Sequence, residues 1–550
     1  MTERPDAPGK PRAGIATAVA ADLAACILLL ITPFAIFVRH HSLPVLQTGT
    51  LACFLILAGV GLVLGGLAAV GRSYLRVPVV SFLLTLFIDI QWNWLTAWNT
   101  RLLATLFAAS VVSWGLRAHL TRIVAIAFST LLVSTLMLPV SPGSAPATRL
   151  SSGGGGNRDL PVVLNLILDG QIGIEGIPAE FDPDGRVADS LKQFYLQNGF
   201  RVFGRAFSRY GSTRASLPNL VNFADSDLPH RYVYGGMGRR PLKENAYFEE
   251  MTRRGYEVHV YQNGNVDFCR VPPEMKLARC LTKEPEALAS VGKVPLSSWR
   301  KVRVIFGVYS RLSFIVSNLR LPFVFHAYLG DLLALRVSAI SAMALFDQVT
   351  EEIAEASPGS LFFVHVLLPH SPYIYDRSCV VRPDPGKWLL PFRIDFDRLK
   401  SGDEEKGLSR NDAESRAVRY PLYLEQVECI QKKIGELFEH MKAAGVFDNA
   451  LIVVHADHGS GIALFNPGNA RASPADFVDE FSVLFAVRLP GQGGGYDRRL
   501  LPLDALFSSV VQEGRIPDGT DWAGPPTVRL GRMPRAEHRE MPAFSHGRVD

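Results

Sequence analysis

Charged side chains are scarce in the first 140 residues, which contain only 13 of them, nine basic and four acidic. The remaining 410 residues hold 48 basic and 48 acidic residues, so that part of the chain carries no surplus of positive charge. A protein that binds nucleic acid through its phosphates needs such a surplus, and its absence excludes a general nucleic-acid binder. Because 48% of the residues are hydrophobic and polar tracts are short, a disordered chain is excluded as well.

Five apolar stretches occupy the charge-poor region. They cover residues 15–38, 45–70, 77–95, 102–116 and 123–140. Each is close to the length of about 20 residues that crosses the hydrocarbon of a bilayer, and the fourth is the shortest. We therefore predict a five-span α-helical membrane domain over residues 1–140.

The basic residues beside these stretches predict the orientation of the chain. Seven lie on one side of the predicted membrane: Arg4, Lys10, Arg12, Arg72, Arg76, Arg117 and Arg122. Only Arg39 and Arg101 lie on the other side. The positive-inside rule then places the N-terminus in the cytoplasm, and an odd number of spans exports everything after residue 140. We expect a multi-pass protein of a bacterial-type inner membrane with a periplasmic catalytic domain.

The cysteines agree with export. Cys26 and Cys53 lie in predicted spans and are expected to be unpaired, which leaves Cys269, Cys280, Cys379 and Cys429 in the polar part. An even number of cysteines in an oxidising compartment predicts two disulfides. Cys269–Cys280 is the local pair and leaves Cys379–Cys429, although four cysteines permit three connectivities and free buried thiols are the alternative.

After the membrane region, a Gly/Ser/Pro-rich linker covers residues 141–160, an α/β domain is expected over 161–535, and 536–550 form a tail. Apolar runs of strand length at 162–168, 361–368 and 451–455 alternate with helical patterns, which is typical of a layered domain with a largely parallel sheet. Each run ends in a polar cluster. Since ligand sites in parallel sheets form beyond the carboxyl ends of the strands, the three clusters are expected to meet.

Two of these clusters have the chemistry of a metal site. Asp169-Gly170 follows the first run, and Asp457-His458 follows the third. Carboxylate oxygens and an imidazole suit a divalent cation such as Zn²⁺ or Mn²⁺. Read separately, Asp-Gly is a common turn and Asp-His-Gly is a possible helix cap. Together they predict one divalent-metal site, and a second metal stays open.

The loop Tyr210-Gly-Ser-Thr-Arg-Ala-Ser-Leu-Pro-Asn219 leads into a helical pattern. A helix N-terminus offers free N–H groups to an anion. A Thr or Ser hydroxyl bound there to a metal can lose its proton and attack phosphorus or sulfur. An ordinary helix cap is the alternative interpretation.

The second apolar run contains His365 and ends at His370, in the sequence His-Val-Leu-Leu-Pro-His-Ser-Pro-Tyr. Histidines at a strand end can hold a phosphoryl oxygen, a second metal or a leaving group. A lone histidine is more often structural, whereas a pair beside a predicted metal cluster favours a role in catalysis.

Taken in order, these four motifs resemble those of the alkaline phosphatase/sulfatase superfamily. With five preceding spans the chain is most similar to its membrane-anchored branch, the lipid A phosphoethanolamine transferases and lipoteichoic acid synthases. The resemblance implies that Asp169 is the first metal ligand, where the transferases usually have Glu, and that Asp457 and His458 complete the metal site. It further implies that Thr213 is the nucleophile and a metal ligand, and that His365 and His370 contact the phosphoryl group.

The sequence departs from the family pattern in three ways. Ser216-Leu-Pro resembles the loop of sulfatases and nucleotide pyrophosphatases, whose nucleophile directly precedes x-Pro, so Ser216 is the second candidate nucleophile and Ser212 the third. No Cys lies in the loop, so the formylglycine route of Cys-type sulfatases is excluded. No His follows shortly after His458, where the transferases place another ligand.

The resemblance implies a membrane-bound transferase that moves a phospho-head-group, of phosphoethanolamine or phosphoglycerol type, through a covalent phospho-Thr. Its expected partners are a phospholipid donor in the bilayer and an envelope glycan or lipid as acceptor. One alternative is a hydrolase of sulfate or phosphate esters on the same fold. The other is a catalytically degenerate protein that assembles an envelope complex.

Residues 302–335 are apolar and aromatic but include Arg303, Arg311 and Arg320. This pattern fits an amphipathic segment that rests on the membrane. It fits a core helix pair with snorkelling arginines equally well.

Overall fold

The structure is a computed structural model. It describes residues 12–92, 100–137, 157, 159–228, 231–233, 240–263, 266–271, 275, 277–283, 288, 291, 294, 296–310, 312, 313, 315, 338–383, 413–517, 524–530, 536–546, 548 and 549. The chain divides into two compact units, Met1–Gly143 with Glu286–Val337 and Ser144–Pro285 with Ser338–Asp550. The predicted linker, 141–160, falls almost entirely outside the described residues.

The first unit is helical. Its N-terminal helices are α1 (Arg12–His40), α2 (Thr48–Val70), α3 (Arg72–Trp92), α4 (Thr100–Gly115) and α5 (Leu120–Met137). Four of them contain a stretch long and apolar enough to cross a membrane: Ala16–His40, Thr48–Val70, Tyr74–Trp92 and Leu120–Met137. The predicted fourth span corresponds to α4, an apolar helix of 16 residues. At 1.5 Å per residue α4 is about 24 Å long, short of the roughly 30 Å of hydrocarbon.

The segment 286–337 also belongs to the helical unit, although the sequence places it inside the α/β domain. Its helix α9 (Ser298–Ser310) packs its apolar residues against α1, where the rings of Tyr309 and Phe34 lie 5.1 Å apart in an edge-on contact. The chain that follows α9 binds α3. Asp89 accepts hydrogen bonds from Ser313 Oγ at 2.7 Å and from the Ile315 N–H at 3.0 Å.

An eight-stranded sheet forms the centre of the second unit. The strands are β1 (Val163–Asp169), β2 (Arg201–Phe207), β4 (Glu257–Asn263), β6 (Arg279–Lys283), β7 (Ser360–Pro369), β8 (Leu451–Ala456), β9 (Phe485–Arg488) and β10 (Gly495–Pro502). Their spatial order is β10-β2-β9-β8-β1-β7-β4-β6. Only β9 runs antiparallel to its neighbours β2 and β8, so the sheet is largely parallel, as the sequence predicts.

The three apolar runs of the sequence form the middle of this sheet. Strand β1 lies between β7 and β8, and all seven of its residues are buried. Val163 is paired with Leu361 on one side and with Leu451 on the other, so the three strands begin level. They run in the same direction, and their polar carboxyl ends therefore emerge at one edge of the sheet.

Helices and short strands complete the unit. The helices are α6 (Arg186–Gln197), α7 (Thr213–Leu220), α8 (Ala246–Arg253), α10 (Ser338–Ile353), α11 (Ala413–Ala443), α12 (Pro474–Phe481) and α13 (Leu503–Val511). The short strands are β3 (Arg240–Pro241), β5 (Val266–Asp267), β11 (Thr527–Leu530), β12 (Glu537–Glu540), β13 (Phe544–Ser545) and β14 (Arg548–Val549). Residues 536–550, expected to be a tail, contribute β12, β13 and β14, and Phe544 is fully buried.

Both predicted disulfides are present, Cys269–Cys280 and Cys379–Cys429. Cys26 and Cys53 are free and buried within the helical unit, as expected. The second bridge connects the chain after β7, which carries His370, to the middle of α11.

Candidate active site

Two buried aspartates at the carboxyl ends of β1 and β8 form the base of the site. Asp169 and Asp457 are both fully buried. One oxygen of Asp457 accepts hydrogen bonds from the backbone N–H groups of Gly170 and His458, each at 3.0 Å. Gly170 has a φ of 73°, a conformation that favours glycine. This turn brings the chain after β1 to the Asp457 carboxylate.

His458 faces Asp169 with one defined ring nitrogen. Its Nδ1 lies 2.8 Å from the Gly459 carbonyl oxygen, which can only accept, so Nδ1 carries a proton and donates it. Nε2 then points into the site, 3.4 Å from Asp169 Oδ1 and 3.6 Å from Asp457 Oδ2. The side chains of Asp169 and His458 therefore share one site, as expected from the two polar clusters.

Thr213 is the first residue of α7. Its Oγ1 lies 3.2 Å from Asp169 Oδ2 and 3.4 Å from His458 Nε2. The preceding Ser212 is extended, with φ −158° and ψ 146°, and its side chain makes no capping hydrogen bond. The Thr213 hydroxyl is therefore held against the carboxylate and imidazole instead of capping its own helix.

His365 lies inside the same cluster. It is fully buried in β7, and its Nε2 is 3.5 Å from Asp169 Oδ2. Within the described part of the chain, neither of its ring nitrogens has a hydrogen-bond partner. The family resemblance implies that His365 contacts the phosphoryl group. In the structure, its ring also lies where it can coordinate the same cation as Asp169.

His370 lies at the rim of the cluster and is half-buried. Its Nδ1 donates to the carbonyl oxygen of Ser371 at 2.7 Å, which leaves Nε2 to interact with other groups. The centre of its ring is 6.4 Å from that of His458. It is thus placed to meet a substrate group and not to complete the buried ligand set.

The two other candidate nucleophiles lie elsewhere. The Ser216 hydroxyl is buried beneath α7, 3.1 Å from the Ser208 hydroxyl. Ser212 is exposed. Of the three hydroxyl residues in the loop, Thr213 is the one that the fold brings to Asp169 and His458.

The charges of the cluster shift its protonation strongly. Burial by itself raises the pKa of Asp169, but the charge of His370 and the neighbouring imidazoles of His365 and His458 hold the pKa well below its usual value. Burial lowers the pKa of His458, and the carboxylates of Asp457 and Asp169 outweigh this and raise it to about 10. The site therefore holds dense negative charge that a cation would stabilise.

The unpaired atoms of the cluster match the needs of a divalent metal ion. Ligand atoms of Asp169, His365 and Asp457 all lie within 4.8 Å of one another. Among the described residues, Asp169 Oδ1, Asp457 Oδ2 and both His365 ring nitrogens are buried without a hydrogen-bond partner. Leaving such groups buried and unpaired is costly, and two carboxylates with imidazoles form a ligand set suited to Zn²⁺ or Mn²⁺. The residues present therefore fit a metal ion.

The sequence analysis missed two residues that shape the site. Glu480 is buried beside the nucleophile loop, where a Cβ on Gly211 would come within 2.6 Å of its carboxylate, and its charge acts on His458. Tyr423 joins α11 to the turn after β1, because its hydroxyl accepts from the Ile172 N–H and donates to the Gly170 carbonyl. No local sequence pattern marks either residue, since both reach the site through long-range packing.

A comparison with protein-family models matches the sulfatase family over residues 190–479, more than half of the chain. The chain belongs to the sulfatase family, and it is an enzyme, a phosphotransferase or a hydrolase. No curated protein matches it significantly.

Several solved structures are similar to the chain. The C-terminal periplasmic domain of EcEptC from Escherichia coli, in complex with Zn, is 12% identical, with a TM-score of 0.39 over 70% of this chain and 93% of that one. Phosphonate monoester hydrolase from Silicibacter pomeroyi is 16% identical, with a TM-score of 0.39 over 68% and 81%. Lipoteichoic acid synthase LtaP from Listeria monocytogenes is 12% identical, with a TM-score of 0.32 over 68% and 75%.

Proposed function

We propose that the protein is a metal-dependent, membrane-bound transferase that moves a phospho-head-group from a phospholipid onto an envelope glycan or lipid. Thr213 is the nucleophile and carries the group as a phosphothreonine. The observation that carries the proposal is the position of its hydroxyl, 3.2 Å from Asp169 and 3.4 Å from His458. A hydroxyl placed there can be activated by a cation bound to the same carboxylate.

The proposed ligands of that cation are Asp169, Asp457, His458, His365 and the Thr213 hydroxyl. A bound Zn²⁺ or Mn²⁺ supplies Lewis-acid chemistry, which lowers the pKa of a coordinated hydroxyl and neutralises charge on phosphoryl oxygens. His458 is held in the required tautomer by its Nδ1–H bond to Gly459, which keeps Nε2 aimed at the site.

The reaction has two displacement steps. The Thr213 oxygen gives up its proton, for which His370 at the rim is the proposed acceptor, and attacks the phosphorus of the donor phosphodiester, so that a bond from phosphorus to Oγ1 forms and the bond from phosphorus to the diacylglycerol oxygen breaks. The diacylglycerol oxygen takes up that proton from His370. An acceptor hydroxyl then attacks the same phosphorus and gives its proton to His370, the bond from phosphorus to Oγ1 breaks, and His370 returns the proton to the Thr213 oxygen. The positive end of the α7 dipole, at the first turn of the helix, stabilises the phosphoryl oxygens in both steps.

The helical unit supports a lipid donor. Four of its helices have the length and hydropathy of membrane spans. An enzyme fixed in the bilayer meets a phospholipid in the same plane, whereas a soluble substrate gives no reason for so large an anchor. We propose that Zn²⁺ or Mn²⁺ is bound on the periplasmic face of an inner membrane, with the N-terminus in the cytoplasm.

The contacts of segment 286–337 favour the five-span topology. Asp89, near the carboxyl end of α3, binds Ser313 and Ile315 of a segment that leaves from and returns to the α/β domain. The end of α3 and the end of α5 then face the same side of the membrane, because α5 leads into that domain. Two crossings are needed between them, and α4 is the proposed second one.

The decisive experiment uses the full chain in proteoliposomes with Zn²⁺ or Mn²⁺ and a phospholipid labelled in its head-group phosphate. Samples are quenched in acid, digested and analysed for label on the peptide that contains Thr213. The expected result is labelled Thr213 together with an equal amount of released diacylglycerol. Phosphatidylethanolamine and phosphatidylglycerol are both tested, so that the same experiment identifies which head group is transferred.

The other outcomes separate the remaining functions. Rapid release of free phospho-head-group over many turnovers without an acceptor would show a hydrolase. Metal binding with neither label nor lipid turnover for either donor would contradict the proposal and favour a protein that assembles an envelope complex.

A further inference from the structure

One part of the exported sequence has a strong excess of positive charge. Residues 287–330 contain six basic residues and no acidic residue, whereas residues 141–550 as a whole contain 48 of each. The six are Lys293, Arg300, Lys301, Arg303, Arg311 and Arg320. The same stretch is apolar and aromatic between these charges. This combination is typical of a segment at the surface of an anionic membrane.

Helix α9 contains the described part of this charge and has two different faces. One face is apolar and buried within the helical unit, through residues such as Val302, Ile305 and Tyr309. Arg300, Lys301 and Arg303 are half-buried, with the Cβ of Lys301 packed against α2, and Trp299 is 65% exposed. A buried apolar face thus fixes α9 to the protein, while Trp299 is exposed and the three basic residues keep part of their surface accessible.

The position of α9 places it at one end of the helical bundle. Its Lys301 lies against Gly49, where a Cβ would come within 2.8 Å of the lysine side chain, and Gly49 is in the first turn of α2. Its Phe306 and Tyr309 contact Phe34, in the second half of α1. The end of α1 and the start of α2 are joined by a short connection, so they share one end of the bundle. In a membrane, that end lies at the depth of the lipid head groups.

We propose that Trp299, Arg300, Lys301 and Arg303, which we call the α9 surface, bind the head-group layer of anionic phospholipids. Tryptophan concentrates at the interface between hydrocarbon and head groups, and arginine and lysine pair there with phosphates. The apolar stems of the three basic side chains lie along the protein while their charged ends reach the phosphates. This inference is independent of the proposed chemistry at Thr213.

The occupant is a bilayer surface and not a second copy of the chain. Residues 141–550 without this segment contain more acidic than basic residues, but that slight excess is dispersed over the sequence, and residues 287–330 contain no acidic residue. An anionic bilayer presents a dense layer of phosphates that matches three basic residues on one short helix. This layer of phosphates also lies at the same depth in the membrane as the end of the bundle that carries α9.

The test uses the full chain in nanodiscs of phosphatidylcholine alone or mixed with phosphatidylglycerol, with acyl chains brominated or not. The emission of Trp299 is taken as the difference between the wild type and Trp299→Phe. Bromine quenches only tryptophan that contacts lipid. We expect loss of most of the Trp299 emission in brominated discs that contain phosphatidylglycerol, and a smaller loss in brominated phosphatidylcholine.

The role of charge is tested with Arg300→Gln/Lys301→Gln/Arg303→Gln, in which the difference between the two lipids should disappear. The matched control is Lys432→Gln/Arg471→Gln/Arg539→Gln, which removes three exposed basic residues of the α/β unit and should keep the difference. Trp299 emission that is unaffected by bromine but quenched by iodide in the buffer would overturn the proposal. Emission shielded from both quenchers would also overturn it, because another protein surface would then cover α9. The comparison of lipids in the wild type needs no charge variant and stands if that variant fails to fold.

Discussion

The Ser216 hydroxyl lies 3.1 Å from the Ser208 hydroxyl, whereas the Thr213 hydroxyl lies 3.2 Å from Asp169 Oδ2. Two hydroxyl residues only three positions apart therefore have different surroundings. One is paired inside the protein, and the other faces the carboxylates of the site. The loop sequence permits either Thr213 or Ser216 as the nucleophile, and their different surroundings favour Thr213.

We expect Thr213→Ala to lower head-group transfer by at least about a thousandfold, since removal of a nucleophile eliminates the covalent step. Ser216→Ala removes only the bond to Ser208 and should keep most of the activity. Initial rates with a labelled phospholipid measure both. Activity that survives Thr213→Ala but disappears in Ser216→Ala would transfer the nucleophile role to Ser216.

Asp457→Asn should abolish metal binding while leaving the fold intact. The amide oxygen of Asn can still accept from the N–H groups of Gly170 and His458, but the second, unpaired carboxylate oxygen is lost. Elemental analysis of the purified full chain should show Zn or Mn in the wild type and a large decrease in the variant. An unchanged metal content in the variant would show that the cation is bound elsewhere.

Gly459→Ala should destabilise the α/β unit. A Cβ at residue 459 would lie 2.3 Å from the carbonyl oxygen of Asp479, and a rigid backbone cannot yield to it. We expect the free energy of unfolding to fall by about 1–3 kcal/mol, as for other overpacked sites. Gly493→Ala is the control, since a Cβ there meets nothing within 4 Å. Thermal unfolding of the full chain in one detergent compares the two, and equal melting temperatures would contradict the expectation.

Asp479 should make stability depend on pH. Burial, which outweighs the nearby Arg416 charge and the Tyr420 hydrogen bond, raises the pKa of Asp479 from 3.8 to about 6. Between these values the native state binds more protons than the unfolded state, so Asp479 lowers stability as the pH rises from about 4 to about 6. Above about pH 6 this loss in the free energy of unfolding is complete and amounts to about 3 kcal/mol.

The measurement is the melting temperature of the wild type minus that of Asp479→Asn, taken across this pH range. The difference should become more negative up to about pH 6 and then remain constant. A difference that becomes more positive with pH would mean that the Arg416 charge, 2.9 Å away, outweighs burial.

The topology can be tested with a fluorescent protein that matures only in the cytoplasm. Fusions are made after Trp92, after Arg117 and after Met137 in a bacterial inner membrane. If α4 crosses the membrane, only the fusion after Arg117 should fluoresce. A dark fusion at Arg117 combined with a fluorescent one at Met137 would show four spans and a cytoplasmic α/β domain, which would contradict the proposed location.

The centre of the fold could be predicted from the sequence because its signals are local. Strands β1, β7 and β8 are apolar runs, each interrupted by one polar residue (Asn165, His365 and His455), and their polar ends had to meet once the strands were parallel. The same logic brought Asp169 and His458 together. Helix α11 begins at Ala413, in a polar stretch that contains Pro421, so no local pattern in the sequence marks its start.

Features that depend on distant partners could not be predicted. The position of His365 beside Asp169 depends on the register of β7 against β1. Residues 537–540 have no apolar alternation and are all exposed, so nothing in the sequence distinguishes the strand β12 from a tail. Segment 286–337 is flanked by residues of the α/β domain, and only its contacts with α1, α2 and α3 assign it to the helical unit.

The chain passes between its two units at residues 143–144, 285–286 and 337–338. A protease that cut the Gly-rich spacer after α5 would therefore leave the sheet still tethered through the two later passages. A single cut in the spacer would therefore not release the α/β unit as a free fragment, as it would in a protein held by one stalk. A recombinant fragment that starts at the sheet would also carry the apolar segment without its helical partners, and deletion of residues 286–337 is the rational way to obtain a soluble form.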